Sequence, residues 1–215
     1  MFFSRSITFG DEDLNAVAAR SADERLRADA EFIERLKNGD SLAYDLLITR
    51  YSGQIYGLLF RLTQDAEEAA DLTQDTFLQV LRSIKSFRGD SELKTWLFRI
   101  AINESRNRFR WWKRRRREST VSLDEPPVHD GVPLNETLAD ATEDPEQALM
   151  RRQERERLER ALNDLPLPFR EVVVLCDIEG QSYQEIASIL KMNIGTVKSR
   201  IARGREEMRK RLKDF

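Results

Sequence analysis

The sequence predicts an all-α protein built from two small helical domains, joined by an acidic flexible linker, with a helix-turn-helix in the second domain. Apolar residues recur at helical spacing along most of the chain. Charged residues make up 34% of its 215 residues, against only nine glycines and six prolines. The charges are also segregated into basic and acidic blocks. A net charge of −2 therefore conceals strongly basic segments.

The first domain covers residues 29–117 and follows an arm, residues 1–28, that shows no firm pattern. Its first helix ends at Gly39, because glycine readily takes the left-handed conformation that terminates helices. Asp40 or Ser41 can cap the second helix, and Asp65 caps the third. The third helix has one apolar face, made of Leu72, Phe77, Val80, Leu81 and Ile84. A fourth helix begins near Ser91 and continues towards Trp111.

Residues 118–149 are predicted to be the linker, because they contain four prolines and little periodicity. The second domain covers residues 150–215, and the helix that leads into it is predicted over residues 146–162. The valine-rich run within residues 171–178 suits a strand by composition. No partner strand lies nearby in the sequence, so this run is predicted to be a buried helix.

The last two helices have the spacing of a helix-turn-helix. Residues 192–195 form the turn, and Thr196 opens the second helix. Its apolar residues share one side, while small residues and long cations point away, which suits insertion into a DNA major groove. An ordinary solvated basic helix in a helical hairpin is the alternative. The predicted DNA contacts on this helix are Thr196, Lys198, Ser199, Arg200 and Arg203.

A second nucleic-acid surface is predicted on the fourth helix. Four polar residues follow one another at steps of four, three and four, so they share a face: Arg99, Asn103, Arg106 and Arg110. Aromatic residues accompany them, and cations interleaved with aromatic rings suit separated DNA strands. For Trp96, and for Phe98 beside it, a place in the core is the alternative interpretation.

Several classes of protein are disfavoured by composition. Cys176 is the only cysteine and His129 the only histidine, so we expect neither a disulfide within the chain nor a metal site, and no cofactor. Cys176 itself is expected to be a small buried residue. Asp71 and Asp75 could be imagined as metal ligands of a nuclease, but their spacing on an amphipathic helix favours a face that is solvated or docks on protein. No run approaches a membrane span or a signal peptide, so a cytoplasmic location is expected.

Two blocks of the sequence resemble a known family. The stretches DLTQDTFLQV at residues 71–80 and SFRGDSELKTWLFRIAIN at residues 86–103 resemble conserved region 2 of bacterial sigma factors, above all the compact extracytoplasmic-function group. Residues 162–187 and 195–205 are similar to region 4 of the same family. The resemblance covers roughly residues 30–117 and 146–212, in the family's order.

The resemblance implies partners and residue roles. The partners are core RNA polymerase, through its clamp and flap, promoter DNA in duplex and single-stranded form, and an anti-sigma factor. The helix of residues 71–80 would dock on the clamp through Asp71, Gln74 and Asp75, and the helix from Thr196 would read the −35 element. The loop and helix from Phe87 to Asn103 would capture a base flipped from the −10 element. The residues expected to contact this element are Phe87, Trp96, Phe98, Arg99, Asn103, Arg106 and Arg110. The alternative is a stand-alone helix-turn-helix regulator, which leaves the Trp/Arg helix and the acidic linker unexplained.

Overall fold

The computed structural model describes residues 29–118 and 145–213, so the N-terminal arm and most of the predicted linker lie outside the described residues. All regular elements in these two ranges are helical, which confirms the all-α class. The α-helices are α1 at residues 29–37, α2 (Ser41–Thr63), α3 (Ala66–Ser83), α4 (Leu93–Glu118), α5 (Pro145–Asn163), α6 (Leu167–Val173), α7 (Tyr183–Leu190) and α8 (Ile194–Lys213). A 3₁₀ turn (Ile84–Ser86) follows α3, and a π turn (Val174–Ile178) follows α6.

Contacts divide the chain into two units, Met1–Thr49 and Arg50–Phe215. In the first, α1 ends at Gly39, whose φ of +79° is the expected left-handed conformation. Asp40 then caps α2, since its Oδ1 accepts a hydrogen bond from the Leu42 amide at 2.9 Å. The second unit contains both the rest of the first predicted domain and the whole of the predicted helix-turn-helix segment.

Helix α3 confirms its predicted cap and most of its predicted core face. Asp65 Oδ1 accepts a hydrogen bond from the Glu68 amide at 2.9 Å. Leu72, Phe77 and Val80 are buried, as is Ile84 just beyond the helix. Leu81 is 45% exposed, so its predicted place in the core is wrong. It lies nine residues after Leu72, which at about 100° per residue puts it on the opposite side of the helix.

Helix α4 is longer than predicted, because it runs on through the basic block to Glu118. The guanidinium of Arg115 lies over the ring of Trp111, one helical turn earlier, at 4.8 Å from its centroid. Such a cation–π contact offsets part of the repulsion between neighbouring cations. The basic block is therefore a helical continuation of α4.

The valine-rich run is helical, as predicted, and completely buried through Val172, Val173 and Val174. Helix α8 begins at Ile194, two residues earlier than the predicted start. The cause is Asn193, whose side-chain Oδ1 accepts a hydrogen bond from the Thr196 amide at 2.7 Å. Asparagine is a preferred helix cap, and here it sets the orientation of the first turn of α8.

Helices α6 and α8 approach each other closely at Gly204. A Cβ atom placed there would lie 2.7 Å from Cγ2 of the buried Val173. That separation is shorter than van der Waals contact, so the absence of a side chain permits the approach. Gly53 in α2 is different, because a Cβ atom there would meet nothing within 4 Å.

We expect alanine to act in opposite directions at these two glycines. Gly204→Ala should lower the free energy of unfolding by about 1 kcal/mol, because overpacking costs about 1–3 kcal/mol and the gain in helix propensity returns only about 1 kcal/mol. Gly53→Ala should raise it by about 0.5–1 kcal/mol through propensity alone. Chemical denaturation of both variants tests this; stabilisation by Gly204→Ala would contradict the close approach.

Candidate nucleic-acid interface

Helix α8 carries its predicted DNA contacts on the side away from the core. Val197 and Ile201 are buried beneath it. The side chains above them are accessible: Lys198, Ser199 and Arg203 are exposed, and Thr196 and Arg200 are partly exposed. The apolar side thus fixes the rotation of the helix and leaves one polar face open to a duplex.

An ion pair holds α8 against the π turn. Asp177 in that turn accepts a hydrogen bond from Nε of Arg205 at 3.1 Å, and this contact raises the pKa of the Arg205 guanidinium. Next to the pair, Cys176 is partly buried, less than the small buried residue that was expected. Arg205 reaches its Sγ at 3.7 Å. Burial nevertheless raises the pKa of the thiol, which therefore stays protonated near neutral pH.

The loop before α4 is anchored by an aromatic pair. The rings of Phe87 and Trp96 lie 5.1 Å apart, and Phe87 is buried while Trp96 is partly exposed. Phe98 is completely buried. Phe98 therefore has the place in the core that was the alternative interpretation of the sequence, and the rings of Phe87 and Phe98 are both buried in this structure. Both are apolar aromatic residues whose burial stabilises the loop and the domain core.

The four polar residues of α4 share a face, but they differ in what they contact. Asn103 is partly exposed, and Arg110 is exposed and donates to the Asn107 side chain and to the Arg106 carbonyl oxygen. Arg106 instead forms a fork with Glu171 of α6, with Nε–Oε1 at 2.7 Å and Nη2–Oε2 at 2.6 Å. This hydrogen bond raises the pKa of Arg106. Arg99 donates to the hydroxyl of Ser188 in α7.

The contact of α6 and α7 with α4 was not predicted from the sequence. Glu171 is 3% exposed, although a carboxylate beside an apolar run would ordinarily be placed in solvent. Its partner Arg106 lies 65 residues earlier in the chain. The only sequence signal was the unusual position of Glu171 immediately before three buried valines.

Helix α3 presents a second candidate interface, which suits a protein partner. Asp71 and Gln74 are exposed, whereas Asp75 is partly exposed and accepts a hydrogen bond from Arg108 of α4 at 3.0 Å. Two leucines share this face and are about half exposed, Leu78 at 48% and Leu81 at 45%. Apolar side chains among polar ones are typical of surfaces that bind protein. Leu78 was not predicted to belong to this face, although it lies seven residues after Asp71.

Residues 29–118 and 145–213 contain no group of three or more His, Cys, Asp or Glu side chains arranged to hold a metal ion. His129 lies outside them. Over the same two ranges, no helix is both long enough and apolar enough to cross a membrane.

Comparisons with known proteins match two separate blocks of the chain. Residues 47–117 match the family sigma-70 region 2, and residues 155–208 match sigma-70 region 4. RNA polymerase sigma-H factor of Pseudomonas aeruginosa is 38% identical over 184 residues, which is 86% of this chain and 93% of that protein. The ECF RNA polymerase sigma-E factor of Haemophilus influenzae is 33% identical, over 83% of this chain and 92% of its own length.

A solved structure has the same architecture. The sigma factor RpoE of Bartonella quintana, in complex with the anti-sigma factor NepR, superposes with a TM-score of 0.61 at 27% identity, over 79% of this chain and 96% of that one. The relatives are transcription initiation factors, and no catalytic family is indicated. With region 2 on α2–α4 and region 4 on α5–α8, this chain belongs to the sigma-70 family of sigma factors, in its extracytoplasmic-function group.

Proposed function

We propose that this protein binds core RNA polymerase and directs it to promoters, with α8 reading the −35 duplex and α4 capturing one strand of the −10 element. The observation that carries the proposal is the pair of cationic helix faces, one on α8 and one on α4, each backed by a buried apolar side. The polymerase is inferred as the partner from the similarity to RNA polymerase sigma factors. The protein acts as an initiation factor without a catalytic site of its own, in the cytoplasm, where the polymerase works.

The direct test is runoff transcription by core polymerase with and without this protein, across a pool of genomic fragments. Initiation at a defined subset of fragments supports the proposal. A stand-alone regulator would instead bind its operator tightly without polymerase and would add no new start sites.

Recognition of −35 DNA is assigned to the exposed face of α8. Arg203 lies at the centre of this face and suits bidentate contact with a guanine, whereas Lys198 at its edge suits a phosphate. The side chains of Ser199, Thr196 and Arg200 complete the surface.

Arg203→Ala should therefore relax preference at one position of the −35 element, at a cost of about 1–3 kcal/mol in binding of the preferred sequence. Arg209→Ala is the matched control, because Arg209 is exposed on the same helix, lies about 120° around it from Arg203, and pairs with Glu206. It removes the same charge and should weaken binding to all −35 sequences slightly and equally. Selection from a randomised −35 library measures the base preference of both variants. An unchanged preference with Arg203→Ala would exclude direct readout by that residue.

Capture of the −10 strand is assigned to α4. Asn103 can hydrogen-bond a base edge, Trp96 offers the accessible part of its ring, and Arg99, Arg106 and Arg110 suit phosphates. Base flipping costs a few kcal/mol. A pocket that offsets this cost for only one kind of base makes melting depend on the DNA sequence.

Loss of the Asn103 side-chain amide should reduce melting of duplex DNA more than it reduces binding to DNA that is already melted. Asn103→Ala is expected to reduce permanganate-detected opening of a duplex promoter about tenfold, which corresponds to 1.4 kcal/mol. The same variant should transcribe almost normally from a template with a pre-melted bubble. If duplex opening is normal, Asn103 has no part in base capture.

Polymerase docking is assigned to the exposed face of α3, with region 4 on the flap. Asp71 and Gln74 are the accessible polar contacts, and Leu78 and Leu81 supply apolar area. Asp75 contributes through its pair with Arg108, which ties α3 to α4.

Charge reversal at Asp71 separates docking from folding. Asp71→Arg should leave the melting temperature unchanged and weaken binding to core polymerase about tenfold. Asp75→Arg is a poorer test, because it would set an arginine against Arg108. Glu154→Arg on the exposed face of α5 makes the same charge change away from α3 and should have little effect. Equal affinities for the two variants would remove α3 from the interface.

A further inference from the structure

The last turns of α4 carry an apolar face that the described residues leave about half exposed. Phe109 lies eleven residues after Phe98, and Trp112 lies eleven residues after Ala101. Eleven residues make about three turns of helix, so the two aromatic residues continue the side of α4 on which Phe98 and Ala101 are completely buried. Phe109 is nevertheless 58% exposed and Trp112 is 49% exposed. Neighbouring apolar side chains left in solvent indicate a binding surface.

This apolar face is separate from the face assigned to the −10 strand. Phe109 comes one residue before Arg110, and Trp112 comes two residues after it. At about 100° per residue, the two side chains are turned about 100° and 160° away from that of Arg110. A strand held along the face of Asn103 and Arg110 therefore runs past another side of the helix. Base stacking on that strand leaves the rings of Phe109 and Trp112 without a role.

Cations surround the two rings. Arg114 and Arg115 are exposed, and the sequence over residues 113–117 is one lysine followed by four arginines. A second copy of this chain would bring the same charges against them, so self-association through this face is disfavoured. The whole chain has a net charge of −2, so attraction of anions is local to this end of α4 and is screened within about 8 Å at physiological salt. The partner must therefore present anions at its surface and accept apolar rings.

An anionic lipid surface has both properties. Aromatic rings settle at the boundary between headgroups and acyl chains, and clustered arginines bind the phosphates of anionic lipids. Apolar insertion or a basic patch alone gives marginal binding, whereas the two together give stable binding. Both occur here within residues 109–117. The four consecutive residues from Phe109 to Trp112 are all exposed, so this part of the helix is accessible from every side and a fluid surface can surround it.

We propose that the end of α4, residues 109–117, is a peripheral anchor for an anionic lipid surface. Phe109 and Trp112 enter the headgroup region, and Arg114 and Arg115 bind lipid phosphates beside them. The anchor requires neither polymerase nor promoter DNA, so it does not rest on the proposed function of α4. Its binding is reversible and is weakened by salt, because much of the attraction is between exposed charges.

The test measures sedimentation of the full-length protein with vesicles. The protein should bind an equal mixture of phosphatidylglycerol and phosphatidylcholine and should not bind phosphatidylcholine alone. Phe109→Ser combined with Trp112→Ser should weaken binding to the mixed vesicles at least about tenfold, because the apolar area that would enter the lipid is lost. The melting temperature should not change, since both side chains are exposed.

Leu149→Ser combined with Met150→Ser is the matched control. These two residues of α5 are 56% and 63% exposed, so the control removes a similar apolar surface from another helix. It should bind the mixed vesicles as the parent protein does. The proposal is overturned if the parent does not bind them, or if the two double variants bind them equally well.

A second pair of variants tests the role of charge. Arg114→Gln combined with Arg115→Gln should weaken binding to the mixed vesicles at least about tenfold. Arg152→Gln combined with Arg209→Gln removes the same charge from exposed positions of α5 and α8, and should weaken binding much less. Equal weakening would mean that the overall charge of the protein brings it to the vesicles, and the proposed anchor would be wrong.

Single-stranded DNA is the competing ligand for an aromatic and basic helix. Because Phe109 and Trp112 lie off the face assigned to the strand, the variant with serine at both positions should bind a single-stranded oligonucleotide of random sequence as tightly as the parent does. Weaker binding of the oligonucleotide by this variant would assign the two rings to nucleic acid and would overturn the proposal.

The fluorescence of Trp112 reports where its ring lies. The chain has three tryptophans, so Trp96→Phe combined with Trp111→Phe leaves Trp112 as the only one. On addition of the mixed vesicles, its emission should shift to shorter wavelength and its quenching by acrylamide should decrease. Vesicles of phosphatidylcholine alone should change neither. A protein that sediments with the mixed vesicles while its Trp112 emission stays the same makes contact elsewhere, which contradicts the proposal.

Discussion

The fork between Arg106 and Glu171 is the contact on which the arrangement of α4, α6 and α7 depends. Glu171 is buried because Val174 and Leu175, three and four residues later, lie on the same side of the helix and are buried themselves. A buried carboxylate left alone costs about 3–5 kcal/mol, so it requires a partner with matching geometry. That partner comes from α4 rather than from region 4 itself. The helix-turn-helix segment is therefore held in one register on the helix that it covers.

The same requirement explains why an arginine, rather than a lysine, suits this position of α4. A guanidinium accommodates a carboxylate and a phosphate with the same two parallel hydrogen bonds, whereas an ammonium group acts as a point charge. Arg106 can therefore exchange one partner for the other without changing its own geometry. Arg99 differs, because its contact is with a neutral hydroxyl and leaves its Nε unpaired.

Local rules account for what the sequence predicted well. The helices follow from apolar periodicity and the caps from Asp40 and Asp65, all of which depend on residues within a few positions of one another. Phe87 and Phe98 were assigned to DNA because aromatic residues beside cations suit both a stacking surface and a core, and only packing distinguishes the two. The partners of Glu171 and Glu179 could not be predicted, since residues 65 to 118 positions apart in sequence meet through tertiary packing alone.

The two DNA surfaces differ in exposure, and the difference matches what each would bind. Duplex DNA is present throughout the chromosome, so an open α8 can sample it weakly and release it without any rearrangement. Single strands of a promoter exist only where the duplex has been melted, and in this structure α4 is covered in part by α7. Uncovered, its arginines would bind any exposed strand or RNA through phosphates, because phosphate contacts carry no sequence information.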